Sequence, residues 1–293
     1  MKYNQRMPSN ITVERIFRQI LLRELKLIKK WRKVAIKGQD PEGIHQIRIS
    51  LRRIRTVLIV FKPIINTKFS QTLAKKLKQY AAALDDARDL DVYMLTHFNN
   101  ESDSTIKSSA MTQRSKAYQR VKKLLQSKPF KKKLRAYKKW VKTGHWQQKI
   151  IIHKKLNNSL QAFAFNSLDA LIKIIIIKGQ QSVQLDDLAL HKLRIDCKKL
   201  RYATEIFIPF YDNNLTLTFI ENLKKLQDSL GDNHDAFIQR QLHQRLLQKD
   251  EKIHLTLASQ QVLLQIDHTA KVKKSQVTKQ LATFCNTEYF WRV

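Results

Sequence analysis

The chain has 293 residues, with 56 Lys plus Arg against 24 Asp plus Glu and a formal charge of +32. That is about four times the net charge that keeps an ordinary small domain soluble, so a polyanionic partner is implied: nucleic acid, an anionic membrane or another polyanion. A hydrophobic fraction of 43% excludes a disordered basic tail, while five Gly and five Pro disfavour many short strands and exclude collagen-like and Gly-rich Rossmann classes.

Long helices are expected throughout. In Asn10–Ile36, Val13, Phe17, Ile20, Leu21, Leu25, Ile28 and Trp31 recur at helical spacing between Lys and Arg. Asp40-Pro41-Glu42 reads as an N-cap, an N1 proline and a first-turn acid, opening a second helix. That helix buries Ile47, Leu51, Ile54, Leu58 and Phe61 and ends at Pro63. Leu73, Leu77, Tyr80, Leu84 and Ala87 continue the spacing and predict one third helix. Asn99–Ser104 reads as a polar loop, followed by basic helices broken near Ser127-Lys-Pro129. The run Lys131-Lys-Lys133 with Lys138-Lys139 is expected to be a solvated face. The longest apolar stretch, Leu168–Ile177, is interrupted by Asp169 and Lys173 and falls short of the roughly 20 residues that span a bilayer. Met1–Asn10 has no apolar signal segment. Cys197 and Cys285 form no disulfide framework and have no metal-ligand spacing. A cytoplasmic protein without membrane contact is expected.

The two halves match each other. His45-Gln-Ile-Arg-Ile-Ser-Leu-Arg-Arg-Ile-Arg recurs as His191-Lys-Leu-Arg-Ile-Asp-Cys-Lys-Lys-Leu-Arg, an offset of 146 residues. At the same offset Asp40 meets Asp186, Phe61-Lys-Pro63 meets Phe207-Ile-Pro209, and the block Leu77–Leu90 meets Leu223–Ala236. Two blocks in one register argue for tandem copies of about 145 residues, each a four-to-five-helix antiparallel unit, divided near residue 145. Similarity is weak in Phe98–Gly144 and Gln239–Val293.

At about 100° per residue, His45, Arg48, Arg52 and Arg55 share one stripe roughly 80° wide, flanking the apolar stripe rather than opposing it. His191, Arg194, Lys198 and Arg201 repeat the pattern. Like charges projected into a groove between helices repel one another unless an anion fills the groove. Lys78 and Arg88 match Lys224 and His234 and supply a facing wall; Asp89 and Asp235 beside them either hold the cations in position or form structural ion pairs. Like charge disfavours the imidazolium of His45, His191 and His234, whereas phosphate favours it. His97, His153 and His254 read as packing residues.

These residues resemble the CHAD family, the conserved histidine α-helical domain. The resemblance rests on His45-x-x-Arg48-x-x-x-Arg52-Arg53-x-Arg55 and Ala87-Arg88-Asp89-Leu90-Asp91. In the second half it rests on His191-x-x-Arg194-x-x-x-Lys198-Lys199-Leu200-Arg201-Tyr202 and Leu226-Gln227-Asp228-x-Leu230-Gly231-Asp232-x-x-Asp235. It implies an all-α fold in which two pseudo-symmetric antiparallel helical bundles, residues 9–144 and 145–293, form one CHAD-type domain over 1–293 around a central basic cavity. It also implies non-catalytic binding of inorganic polyphosphate and association with polyphosphate granules, with no metal or other cofactor. The implied polyphosphate-binding residues are the two stripes with Arg53, Lys199, Lys78, Arg88, Lys224, Lys225 and His234. Family members are often fused to a triphosphatase-type β-barrel; no such activity is carried over here.

Three other readings compete. RNA or DNA binding, at least weak and non-specific, fits the charge, although single-strand readers interleave aromatics for stacking and the stripes contain none. Asp85-Asp86-Ala-Arg-Asp89 fits the DDxxD pattern of all-helical enzymes that hold magnesium diphosphate, but the second copy reads Gly231-Asp232-Asn-His-Asp235. His234-Asp235 resembles the HD phosphohydrolase pair without a full ligand set.

Overall fold

The structure is a computed structural model and describes residues 12–65, 67–98, 104–144, 146, 160–180, 186–211, 214–247 and 257–292. Every regular element among them is a helix. By contact density the described residues group into two compact units. Among the described residues, one comprises those within 14–146 and 238–265, the other those within 160–237 and 266–292 together with Thr12 and Val13. No helix of the described residues is long and apolar enough to cross a membrane.

The N-terminal unit begins with α1 (Val13–Lys37), which buries Phe17, Leu21 and Ile28 on one face. Gly38 ends it at φ 72, a left-handed conformation that L side chains rarely adopt, and its N–H reaches the Val34 carbonyl at 3.2 Å. The next helix, α2 (Glu42–Val60), buries Ile44, Ile47, Leu51 and Ile54. Pro41 takes its N-cap position, one residue later than expected, while Asp40 Oδ1 still accepts the Glu42 N–H at 2.8 Å. Gly43 lies so close to α1 that a Cβ there would be 2.5 Å from the Ala35 nitrogen. A single turn, α3 (Lys62–Ile65), contains Pro63.

The expected third helix is two. α4 (Lys68–Ala82) opens with a reciprocal Thr67–Ser70 capping box and packs against α2; α5 (Asp85–His97) begins afresh after Ala83-Leu84. Asp85 and Asp86 occupy the first turn of α5, where carboxylates favour a helix start. The apolar spacing keeps its phase through the break, so periodicity alone does not reveal it. α6 (Ser104–Gln126) packs on α5, and α7 (Lys128–Thr143) starts where expected, with Ser127 Oγ accepting the Phe130 N–H at 3.2 Å. Residues 99–103 lie outside the described residues. Phe17 anchors the aromatic core, with its ring 4.6 Å from Trp146 and 5.2 Å from Phe61. Each fully buried ring of this kind contributes about 1.5–3 kcal/mol.

The C-terminal unit packs α8 (Leu160–Gln180) against α9 (Asp187–Phe207). Asp186 caps α9 by accepting the Ala189 N–H at 2.7 Å, and a 3₁₀ turn, Ile208–Phe210, follows. The long α10 (Asn214–Leu247) runs unbroken through the segment that aligns with the α4–α5 break. Its residues up to Phe237 belong to this unit, as does α11 (Leu257–Cys285) from Ile266 onward. Phe219 is fully buried among Phe284, Phe290 and Trp291, with ring centroids at 5.4, 5.5 and 5.0 Å. Gln227 Nε2 donates to the Cys197 carbonyl at 2.8 Å, tying α10 to α9.

Candidate functional site

In the N-terminal unit the burial of Ile44, Ile47, Leu51 and Ile54 fixes the rotation of α2 and so places His45, Arg48, Arg52 and Arg55 on a half-buried flank. Arg88 faces them from α5. Arg48 Nη2 pairs with Asp85 at 2.6 Å, and its Nη1 lies 3.9 Å from Asp89. Its side chain keeps only 20% of its exposure. Asp89 therefore holds an arginine of the α2 row, but the closer carboxylate is Asp85, whose role the spacing did not reveal.

In the C-terminal unit the same logic applies to α9, where Leu193, Cys197 and Leu200 are buried. His191, Arg194 and Lys198 flank that stripe and are half-buried. Arg194 Nη2 meets Asp235 of α10 at 3.3 Å. Arg201, expected to complete the row, is engaged locally: its Nε is 3.6 Å from Glu205, and its guanidinium carbon lies 5.0 Å from the Tyr202 ring centre.

Other expected site residues lie apart from these rows. Arg53 points to Glu24 of α1, a fully buried acid 3.8 Å from its Nη1 and 3.3 Å from Arg23. Lys199 meets the buried Asp196 at 2.6 Å, and Lys178 of α8 pairs with the same carboxylate. Lys78 and Lys224 are exposed, and Lys225 pairs with Glu221 at 2.8 Å on its own helix. The side chain of His234 lies outside the described residues, as do His153 and His254. His97 packs beside Tyr93 at 4.8 Å and bonds Gln239 at 2.9 Å. A histidine not singled out, His243, is fully buried with its Nδ1 2.6 Å from Tyr93 Oη.

The DDxxD carboxylates do not converge. Asp85 and Asp89 face Arg48, whereas Asp86 faces Arg120 at 3.1 Å and Arg245 at 3.3 Å. No group of three or more His, Cys, Asp or Glu among the described residues is placed to hold a metal ion. Lys132, Lys133, Lys138 and Lys139 are exposed on α7, opposite buried Phe130, Tyr137 and Trp140.

The electrostatics of both rows favour an anion. Burial pulls His45 below its ordinary value, Arg88 adds to this, and Arg48 and Arg52 act in the same sense against Glu42. Burial likewise lowers His191, helped by Arg194 and Lys198. Burial lowers Arg48, with Asp85 and Asp89 opposing, and lowers Arg55, with Arg52 adding its charge. His45, His191 and Arg55 are held where water screens them poorly and neighbouring cations repel them, a state that a bound anion relieves.

The model of the CHAD domain matches residues 19–244. No curated protein matches the sequence. Among solved structures, the crystal structure of the CHAD domain from the plant Ricinus communis is similar at 20% identity and a TM-score of 0.78, covering 95% of this chain and 94% of that one. PptA from Streptomyces chartreusis is similar at 12% identity and a TM-score of 0.61, covering 96% and 99%. At these identities the two structures show a shared all-α fold, and the family match covers most of the sequence. The chain belongs to the CHAD domain family.

Proposed function

We propose that this CHAD protein binds inorganic polyphosphate without transforming it, each row of cations holding a stretch of the chain. The observation that carries this reading is the α2 cluster, in which His45, Arg48, Arg52, Arg55 and Arg88 crowd one half-buried flank and repel each other, with Asp85 and Asp89 engaged by Arg48. Polyphosphate carries about one negative charge per phosphate and has no bases to read. Arg bridges two phosphate oxygens with its planar fork, Lys adds a mobile point charge, and a histidine lowered by burial and by its neighbours takes up a proton when phosphate arrives. The aromatic ring beside the α9 row, Tyr202, is buried at 3% exposure and covered by Arg201, so no base can stack on it. Membership of the family supports the same ligand, and association with cytoplasmic polyphosphate granules is part of the same proposal.

Competition tests the reading. Long-chain polyphosphate is expected to displace a labelled single-stranded RNA at equal phosphate concentration near 150 mM salt. Tighter binding of the RNA under those conditions would replace polyphosphate with nucleic acid. Salt dependence alone does not discriminate, because both polyanions release counterions.

A further inference from the structure

Apart from the two rows, the N-terminal unit contains a cleft of about 660 Å³ between the end of α1, α5 and α6. That volume lies within the range of about 300–1,000 Å³ typical of small-molecule sites. Its lining combines two chemistries, the cations Lys37, Arg88, Arg114 and Lys122 and the apolar Ile36, Met94, Leu95 and Met111. The pairings Asp86–Arg120 and Asp91–Arg114 run α5 and α6 antiparallel, which puts Arg88 and Lys122 toward one end and Met94, Leu95 and Met111 toward the other.

The cationic part is prepared in advance. Arg114 Nε donates to Asp91 at 2.7 Å, and its guanidinium carbon lies 4.3 Å from the Tyr118 ring centre, which fixes the plane of the fork. Tyr118 Oη donates to the other Asp91 oxygen, also at 2.7 Å. The acid in the lining is thus already bonded, while Lys37, Arg88 and Lys122 add three more positive charges. Gly38, at φ 72, brings the backbone to the Tyr118 ring, where a Cβ would lie 3.2 Å from Cδ1.

The apolar part distinguishes this cleft from the rows. Leu95 is 79% exposed and Met111 54% exposed, large apolar side chains left open at a concave surface. A solvated face does not require them, and polyphosphate has no apolar atoms to cover them. Methionine thioethers pack well against aromatic rings and adapt to their outline.

We propose that this cleft binds a small amphipathic anion, with one acidic head group against Arg114, Lys37 and Lys122 and a planar apolar body against Met94, Leu95 and Met111. The inference goes beyond polyphosphate binding and does not depend on it. Because Arg88 also faces His45, the test must separate the two sites.

Calorimetry with adenosine 5′-monophosphate and fluorescence with 8-anilinonaphthalene-1-sulfonate supply two planar probes with different acidic heads; inorganic phosphate supplies a head without a body. At least one planar probe is expected to bind at one per chain, at least tenfold more tightly than phosphate. Met111→Asp and Lys122→Glu, both at exposed positions, are each expected to weaken it tenfold or more with the circular dichroism unchanged. Saturating long-chain polyphosphate is expected to leave the affinity within about twofold. Absence of saturable binding by either probe, equal affinity for phosphate, indifference to both substitutions, or full displacement by polyphosphate would each overturn the proposal.

Discussion

Gly43→Ala tests the packing that positions the α2 row. Helix propensity alone favours the change by up to about 1 kcal/mol. The surroundings oppose it: the added Cβ would lie 2.5 Å from the Ala35 nitrogen, 2.9 Å from its Cα and 3.0 Å from the Val34 carbonyl carbon. All three are backbone atoms, so no side chain can swing aside. Restoring an ordinary contact of about 3.5 Å requires α1 and α2 to separate by roughly 1 Å. Overpacking of this kind costs about 1–3 kcal/mol. Contacts this short put the cost near the upper end, which leaves about 2 kcal/mol after the propensity gain, and at about 2–4 °C per kcal/mol the expected fall in Tm is roughly 4–8 °C. Because His45 lies two residues further along the same helix, polyphosphate affinity is expected to fall as well. Thermal and urea unfolding followed by circular dichroism give the stability change. An unchanged or raised Tm would refute the close approach of these helices.

Further outcomes separate neighbouring residues that share a charge. Arg52→Ala is expected to weaken polyphosphate binding at least tenfold in a titration while leaving Tm unchanged or higher, since it relieves repulsion on His45. Arg53→Ala is expected to do the reverse, lowering Tm by leaving the buried Glu24 to the more exposed Arg23, while the folded protein keeps most of its affinity. The pH dependence follows from His45 and His191, both lowered below their ordinary value of 6.5. The ligand-free folded state binds fewer protons than the unfolded state, so their contribution to stability is complete above about pH 6.5 and lost as pH falls through the folded values. Phosphate bound as proposed is expected to raise both histidines, so affinity is expected to strengthen from about pH 7.5 to about pH 5.5; calorimetry in buffers of different ionisation heat would detect the proton uptake. In the C-terminal unit, Phe219→Ala removes a fully buried ring and is expected to cost about 3–5 kcal/mol in urea unfolding.

Much of this arrangement is legible in the sequence because it is local. The α2 stripe, the Asp40 contact ahead of α2, the Asp186 cap and the Ser127 start are each set within a few residues, and the flank holding His45, Arg48 and Arg52 follows from the apolar stripe beside it. What stays hidden depends on distant partners or on a signal of unchanged phase. The α4–α5 break interrupts no periodicity. Arg53 reads like its neighbour Arg52 until α1 brings Glu24 against it, although an acid between Leu21 and Ile28 on a buried face is itself a clue. Lys199 has its acid three residues earlier, so that pairing was available. The Tyr93–His243 bond joins residues 150 positions apart, and the cleft needs α1, α5 and α6 together, so neither is written in any one segment.

The proposed function assigns polyphosphate to the rows on α2 and α9. The most direct measurement is equilibrium binding of long-chain polyphosphate near 150 mM salt to the unaltered protein and to the Arg52→Glu/Lys198→Glu double variant, with helicity checked by circular dichroism. A loss of affinity of about a hundredfold or more with helicity intact is the predicted result. Retained affinity in a folded double variant would contradict the account and move the site elsewhere, with the exposed lysines of α7 the next candidates.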